Sequence, residues 1–454
     1  MKPLPPFHEF RIEILDGDIV HLVFDMPGRT MNVFSNRAIH ESEAFADWLK
    51  DSGAKGVLVS SGKPTGFCAG ADLGELAEAY AMIVAALAEK RSQVAADHFA
   101  PIGRAFRKLE TSGIPVAFAI NGLALGGGCE FALAGHARFL ADTPSTALGL
   151  PESLVGLLPG GGGTQRLSRL IGLEASLPIL LDGARLSPHE AVAAGAATKV
   201  VPAGEEIAAA LDWLRSGPEP KQKWDKADWT DPSADNVRQR LARIRTERLA
   251  ETRGHYPAIT SILDCVEQGL PLPMDDGIKA ELRIFADLIK RPEPRDMIAT
   301  LFLGRQAYAK ARKANALPAS LDALKADVAA ALSAEAEKIG RAQAEKDATE
   351  AGFVRPLPTV PAGAPVASLP DVSALSETGL WIERPTEPWQ KNAARLLAAA
   401  ARAAAPHRAG LDDASRQLAD FSIVEELGFP AYLGGPFALL QSVGSAGIRK
   451  MAEV

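Results

Sequence analysis

The stretch Ile114–Glu130 reads IPVAFAINGLALGGGCE and predicts a buried strand, a glycine turn and then a helix. Val116–Ile120 is a continuous apolar run, which is typical of a strand covered on both faces. The glycines Gly126–Gly128 allow the backbone to approach a ligand closely, because no Cβ intervenes. The start of the following helix would direct unpaired N–H groups towards negative charge. Since a carboxylate in this apolar setting is costly without a partner or a task, Glu130 is a candidate functional residue.

A second carboxylate, Glu152, follows Gly149-Leu150-Pro151. The chain between Glu130 and Glu152 is long enough for a helix, a strand and a turn to fold back, so both side chains could face one pocket. Two carboxyl groups in an apolar pocket push their pKa values apart, and one can then donate a proton while the other accepts one. The alternative for either glutamate alone is a helix cap or an ion pair, which also perturbs carboxylates.

Two glycine-containing loops are predicted to supply backbone donors to the same pocket. They are Ala69-Gly70-Ala71-Asp72 and Gly126–Gly128, and each follows a strand and precedes a helix. Their N–H groups could converge on one carbonyl oxygen as an oxyanion hole. Two tight turns with structural glycines are the alternative.

Several other sites are not predicted. Gly160–Gly163 is followed by Thr164 and lacks the lysine of a phosphate-binding loop, no GxGxxG follows a strand, and no GxSxG is present. His98, His136 and His255 have no metal-ligand spacing, so no metal site is expected.

The composition bounds the class of protein. The chain has 454 residues, 47% hydrophobic and 23% charged, with a net charge of −7, which argues against nucleic acid as the main partner. No apolar run approaches the ~20 residues of a membrane span. Three separated cysteines without a CxxC motif and a proline-rich start without a signal peptide indicate a reducing compartment, and a cytoplasmic location is expected.

Apolar strands alternate with helices as far as Pro202, which predicts an α/β fold, and helical patterns dominate thereafter. The predicted segments are a catalytic domain over 1–205, a linker over 206–235, a helical region over 236–351, a proline-rich linker over 352–391 and a small helical segment over 392–454.

Three motifs together resemble the enoyl-CoA hydratase/isomerase (crotonase) family: Phe67–Leu73, Asn121–Glu130, and Leu150–Glu152 with Leu158–Leu167. The resemblance extends from Phe10 to Pro202. With Asp25–Gly28 and Met31-Asn32, it is similar in particular to the hydratase module of fatty-acid oxidation alpha subunits. It implies a spiral of ββα turns and assembly into a homo-oligomer through trimer-type contacts.

The resemblance also implies roles for single residues. The N–H groups of Ala71 and Gly127 would bind the thioester oxygen of an acyl-CoA, Glu130 would activate the water, and Glu152 would deliver the proton to the α-carbon. The neighbouring residues of these motifs would contact substrate: Ala69, Gly70, Asp72, Leu73, Gly126, Pro151 and Gly160. The expected reaction is enoyl-CoA hydration. The alternatives are Δ3-Δ2 isomerisation through Glu152, or a non-catalytic acyl-CoA-binding scaffold that docks a thiolase.

A weaker resemblance continues beyond this domain. The region from Gly254–Ala258 to Pro318 is similar to the linker helices of those alpha subunits, and Leu418–Phe421 with Gly428–Pro436 resembles the end of their 3-hydroxyacyl-CoA dehydrogenase part. The glycine-rich nicotinamide fingerprint of that part is missing. No cofactor is therefore expected. In particular, neither NAD binding nor dehydrogenase activity is expected.

Overall fold

The computed structural model describes residues 6–64, 66–231, 234–360, 369–374 and 379–454. The chain divides into two compact units: unit 1 comprises Met1–Thr246 with Ala258–Lys290, and unit 2 comprises Glu247–Pro257 with Arg291–Val454. Parts of the predicted proline-rich linker, residues 361–368 and 375–378, lie outside the described residues.

Unit 1 contains strands that alternate with helices. The strands are β1 (Phe10–Leu15), β2 (Ile19–Phe24), β3 (Gly56–Ser61), β4 (Gly66–Cys68), β5 (Val116–Ile120), β6 (Leu123–Leu125), β7 (Ala137–Ala141), β8 (Ala147–Gly149), β9 (Arg185–Leu186) and β10 (Lys199–Val201). The helices as far as Lys290 are α1 (Asn36–Leu49), α2 (Leu73–Ala85), α3 (Arg91–Glu110), α4 (Gly127–Leu133), α5 (Gly163–Ile171), α6 (Leu173–Asp182), α7 (Pro188–Ala194), α8 (Glu206–Arg215), α9 (Val237–Thr252), α10 (Pro257–Gly269) and α11 (Met274–Ile289).

The strands form two sheets, which confirms the predicted α/β fold with repeated ββα turns. One sheet has the order β1-β2-β3-β5-β7-β10 and the other β4-β6-β8-β9. β1 and β2 are antiparallel, whereas the later neighbours in the first sheet are parallel. Each turn of the spiral thus places one strand in each sheet: β3 with β4, β5 with β6, and β7 with β8. The loops after β4, β6 and β8 consequently lie side by side.

Strand β5 is buried along its whole length, as its apolar run predicts. On one face, Ala117 and Ala119 pack with Ala210 and Leu214 of α8. On the other face, the Phe118 ring meets Phe131 of α4 edge-on, with ring centroids 4.9 Å apart. Small residues on one face and a large ring on the other let helices cover both sides of the sheet.

Helix α8 occupies the beginning of the stretch predicted as a linker over 206–235. Its alanine and leucine residues cover the first sheet, so it is part of the unit 1 core. The charged and aromatic composition that begins at Trp213, inside the last turn of α8, obscured this short amphipathic helix in the sequence.

Helices are the only regular secondary structure in the described residues of unit 2. After the end of α9, it contains α12 (Pro292–Met297), a π-helix (Ile298–Gly304), α13 (Arg305–Lys313), α14 (Leu321–Ile339), α15 (Arg341–Glu350), α16 (Pro388–Ala404), α17 (Asp413–Leu427) and α18 (Pro436–Glu453). Helix α16 begins at Pro388, four residues before the predicted Asn392, because Glu387 and Gln390 form a capping box around a proline at the first position. The mostly helical C-terminal region is confirmed.

Small and apolar side chains form the interior of unit 2. The buried face of α16 includes Ala393, Leu397 and Ala401, and this helix packs against α14 and α18. Where α18 begins, the buried Asp420 carboxylate accepts the N–H groups of Phe437 and Ala438, each at 2.9 Å. No helix in the described part of the chain has the length and apolar character to cross a membrane.

Candidate active site

Two backbone N–H groups of neighbouring loops lie at the predicted oxyanion hole. Phe34 donates to Gly70 O at 2.7 Å and accepts from Asp72 N–H at 3.0 Å, so the intervening Ala71 N–H faces away from Phe34. Gly127 is the first residue of α4, where N–H groups have no intrahelical acceptor. Among the described residues, neither the Ala71 nor the Gly127 N–H donates to a protein acceptor.

Glycines allow these two loops to approach each other. Gly70 and Gly126 have φ values of 103° and 52°, a region that side-chain-bearing residues rarely adopt. A Cβ on Gly70 would lie 3.2 Å from Leu125 O and 3.7 Å from the Gly127 nitrogen. The loop after β4 and the loop after β6 therefore touch, and an acceptor between them can meet N–H groups from both.

Glu130 lies one turn into α4 and is 2% exposed. Its Oε1 accepts the N–H groups of Gly161 at 2.7 Å and Gly163 at 2.8 Å. Burial raises the pKa of this carboxyl group, whereas the two N–H groups and the positive charge of Arg166 oppose the rise. Oε2 receives no hydrogen bond from any described group, which leaves it available to a water molecule.

Glu152 lies in a 3-10 turn, Pro151–Val155, that follows β8. A Cβ on Gly126 would lie only 3.1 Å from Glu152 Oε1, so this carboxyl group abuts the glycine that precedes α4. Its Oε2 is buried without a hydrogen-bond partner among the described residues. Burial, followed by the negative charge of Glu130, raises the pKa of Glu152 well above its ordinary value.

The surroundings of the two glutamates differ. Burial raises the pKa of both, but Glu130 also has two backbone donors and a nearby arginine that stabilise its ionised form, whereas the charge of Glu130 further stabilises the neutral form of Glu152. Such a pair can divide the roles of proton acceptor and proton donor. The structure brings Glu130, Glu152, Ala71 and Gly127 together, as the motifs predict.

Sequence reasoning missed a third glutamate at this site. Glu281 of α11 is fully buried, and it accepts the N–H groups of Gly162 at 2.6 Å and Thr164 at 3.0 Å. The signal was present in the sequence: Glu281 falls on the apolar face of α11 with Gly277, Ile284 and Leu288, which are spaced as one buried side of a helix.

A buried ion pair between Arg166 and Glu110 contacts the glycine stretch Gly160–Gly163. The Arg166 guanidinium donates to both carboxyl oxygens of Glu110, at 3.2 and 3.1 Å, and to Gly161 O at 2.7 Å. Arg166 and Glu110 are almost completely buried, and Glu110 also pairs with Arg107 at 3.0 Å, so the Glu110 carboxylate is held between two arginines. The Gly161 carbonyl and the Gly162 N–H belong to one peptide unit, so Arg166 helps to orient the N–H group that Glu281 accepts.

The residues predicted to contact substrate lie around this centre, and their contacts with substrate stay predictions. Gly70 and Gly126 form the approach between the loops, Ala69 is exposed beside it, and Pro151 opens the turn that bears Glu152. Gly160 leads into the glycine stretch, and a Cβ there would lie 3.1 Å from the Phe285 ring.

Asp72 and Leu73 begin α2, and Asp72 has a structural task. Its Oδ1 accepts the Gly74 N–H at 3.0 Å as the cap of α2, and its Oδ2 pairs with Arg29 at 2.7 Å.

Cys68, Cys129 and Cys265 are buried free thiols. Within the described ranges, no group of His, Cys, Asp and Glu side chains is arranged to hold a metal ion.

Comparison with known proteins identifies the domain that carries this site. Residues 17–222 match the family described as Enoyl-CoA hydratase/isomerase. Proteins named fatty acid oxidation complex subunit alpha are similar: that of Shewanella loihica is 37% identical over 302 residues, which are 64% of this chain and 41% of the relative. That of Aliivibrio fischeri is 36% identical over 313 residues, or 68% of this chain and 43% of the relative.

The chain thus spans about two fifths of the length of these curated relatives. Among solved structures, Pseudomonas aeruginosa DspI is 24% identical with a TM-score of 0.41, covering 65% of this chain and 95% of that one. An enoyl-CoA hydratase from Bacillus anthracis is 23% identical with a TM-score of 0.41, covering 68% of this chain and 98% of that one. Residues 17–222 form a domain of the enoyl-CoA hydratase/isomerase family, as the sequence motifs predict.

Proposed function

We propose that the protein is an enoyl-CoA hydratase, which adds water across the 2,3-double bond of an acyl-CoA thioester to give a 3-hydroxyacyl-CoA. The observation that carries the proposal is the meeting of two unpaired N–H groups, Ala71 and Gly127, with two buried glutamates, of which Glu152 has the more strongly raised pKa. The family of residues 17–222 supports this reaction class.

Each group has a defined task in the proposed reaction. The Ala71 and Gly127 N–H groups bind the thioester oxygen and stabilise the enolate that forms when the β-carbon is attacked. Glu130 takes a proton from water, whose oxygen bonds to the β-carbon. Glu152 then gives its proton to the α-carbon as the enolate collapses. Water has then been added, Glu130 is protonated and Glu152 ionised, and proton exchange with solvent resets both.

The test is loss of the ultraviolet absorbance of a conjugated enoyl thioester on incubation with purified protein, across a panel of chain lengths. Glu130→Gln and Glu152→Gln should each reduce turnover to background while the circular dichroism spectrum stays that of the wild type. The matched control is Glu206→Gln, because Glu206 is a buried glutamate that accepts a backbone N–H, from Gly204 at 2.8 Å. A wild-type protein that leaves every thioester unchanged would refute the proposal.

One observation favours Δ3-Δ2 isomerisation as a second reaction of the same site. The Glu152 Oε2 has no partner among the described residues, so this carboxyl group is available to move a proton between the α- and γ-carbons. Isomerisation needs no water, and it should survive Glu130→Gln when hydration is lost. Product analysis with a 3-enoyl-CoA tests this: loss of isomerisation in Glu130→Gln equal to the loss of hydration would exclude a one-glutamate route.

The cellular role follows from the relatives and is part of the proposal. Their name, fatty acid oxidation complex subunit alpha, supports a task in fatty-acid oxidation, for which we propose the β-oxidation route and a cytoplasmic location. We propose a homo-oligomer and a thiolase as partner, and no use of NAD. Solution mass, co-purification with thiolase and calorimetry with NAD test these points. A thiolase contact without any hydratase activity would instead favour the non-catalytic scaffold.

A further inference from the structure

Glu281 is a buried carboxylate whose burial no part of the proposed reaction explains. It lies on the inner face of α11 and has no exposure to solvent. Burying a charge without compensation costs far more than a helix gains by packing, so a glutamate at this position needs donors. The donors come from the same glycine stretch that holds Glu130.

Successive N–H groups along that stretch alternate between the two glutamates. Those of Gly161 and Gly163 go to Glu130, and those of Gly162 and Thr164 go to Glu281. The Thr164 hydroxyl also donates to Glu281 and accepts a hydrogen bond from the Gln165 side chain at 2.9 Å. The two carboxylates therefore hold opposite sides of one peptide strip, residues Gly161–Thr164. Displacing one carboxylate displaces the N–H donors of the other.

We propose that Glu281 is a positioning residue of this site, which orders the strip that holds Glu130 and, when ionised, keeps the proton on Glu152. The proposal rests on the hydratase function proposed above. Glu281 touches neither substrate nor the reacting atoms in this reaction and acts through the other two glutamates.

Charged and titratable groups on four neighbouring elements interact with Glu281. They are Glu130 on α4, Glu152 after β8, Cys265 on α10 and Arg169 on α5. Burial and then the charge of Glu130 raise the pKa of Glu281 to about 8, although the Thr164 hydroxyl and the two N–H groups oppose the rise. The charge of Glu281 in turn raises the pKa of Glu152.

The direction of the effect follows from these pKa values. Below a pH of about 8, Glu281 is mainly neutral, so its charge does not affect the ionisation of Glu130 on the acidic side of the activity profile. Above that pH, its negative charge opposes loss of the proton from Glu152, the candidate acid. The charge of Glu281, as distinct from its ordering of the strip, therefore affects activity on the alkaline side only.

The first test is the pH dependence of kcat in Glu281→Gln, a variant that keeps the shape of the side chain but cannot ionise. We expect the alkaline limb to move to lower pH by roughly half a unit or more, while the acidic limb stays in place. We also expect kcat to fall more than KM rises, because the N–H groups of the oxyanion hole are untouched. Glu206→Gln is the control and should retain the wild-type profile.

The second test is a pair of substitutions at Thr164, which remains informative if Glu281→Gln fails to fold. Thr164→Ala removes the hydroxyl donor, raises the pKa of Glu281 further and should shift the alkaline limb in the same direction by a smaller amount. Thr164→Ser keeps the hydroxyl and should restore the wild-type limb. A purely structural role for this contact would lower turnover equally at every pH.

Profiles of Glu281→Gln and Thr164→Ala that superimpose on the wild type after scaling would overturn the proposal. A carboxyl carbon NMR titration separates it from the hydratase function, because it needs no turnover. With the Glu152 signal assigned by its loss in Glu152→Gln, the pKa of Glu152 should be lower in Glu281→Gln than in the wild type. An unchanged Glu152 titration refutes this inference, whereas an inactive wild type with a shifted titration refutes only the proposed reaction.

Discussion

Replacing Gly163 with alanine should displace the carboxylate of Glu130 without removing it. The added Cβ would lie 2.7 Å from Glu130 Oε1 and 2.8 Å from the Pro159 Cβ. Carbon and oxygen atoms without a bond between them pack near ~3.5 Å, so the carboxylate must retreat by roughly 0.8 Å. A displacement of that size also lengthens both hydrogen bonds from the glycine stretch.

The expected result is a loss in kcat of about a hundredfold, equal to about 2.7 kcal/mol of barrier, because misplacing a catalytic group by ~1 Å has that effect. KM should change little, since Ala71 and Gly127 keep their positions. Overpacking should also lower the free energy of unfolding by about 1–3 kcal/mol. Initial rates with an enoyl-CoA and urea unfolding measure the two effects.

The matched control adds the same methyl group beside the same glycine stretch, where there is room for it. A Cβ on Gly103 of α3 would have its nearest neighbour, the Ile278 side chain, at 3.4 Å, an ordinary contact distance. Gly103→Ala should therefore leave kcat unchanged and stabilise α3 by about 0.5–1 kcal/mol. A folded Gly163→Ala protein with the kcat of the wild type would refute the idea that this strip positions Glu130.

Three further substitutions test other parts of the domain. Gly126→Ala forces an alanine to a φ of 52° and brings a Cβ to 3.1 Å from Glu152 Oε1. The free energy of unfolding should fall by about 1–2 kcal/mol, and the turnover rate should fall as well. Wild-type rates would contradict the placement of Glu152. Arg166→Met removes two hydrogen bonds to the buried Glu110 carboxylate and leaves Arg107, at 3.0 Å, as its remaining cation, so it should cost about 1.5–3 kcal/mol in urea unfolding. A variant as stable as the wild type would show that the Arg166–Glu110 pair is dispensable. Glu43→Gln removes a carboxyl group whose pKa its hydrogen-bonded arginine lowers to about 2. Its stabilising effect, roughly 1 kcal/mol, should be present above pH ~4.5 and disappear as the pH falls towards 2, and an equal difference at every pH would exclude an ionic origin.

Local sequence patterns were sufficient to predict much of this site. The apolar run Val116–Ile120, the glycines that follow it and the loop around Ala71 are recognisable in the sequence, because backbone freedom and burial depend on the residues themselves and their immediate neighbours. Glu130 and Glu152 stand out for the same reason, as charged residues directly beside apolar and glycine-rich segments.

Long-range packing determined the rest. Helix α8 was hidden within a predicted linker, since its short alanine face becomes meaningful only against β5. The ionisation preferences of Glu130 and Glu152 depend on which oxygen meets which N–H group, and no spacing along the chain reveals that.

The amino-acid sequence alone was enough for the α/β class, the two glycine loops and the two glutamates, because each is encoded in a few consecutive residues. The folded chain was needed to show that Glu281, more than a hundred positions beyond Thr164, shares the strip of N–H groups that holds Glu130. The physical reason is that a buried carboxylate is defined by its donors, and these donors come from a distant part of the chain that folding brings to it.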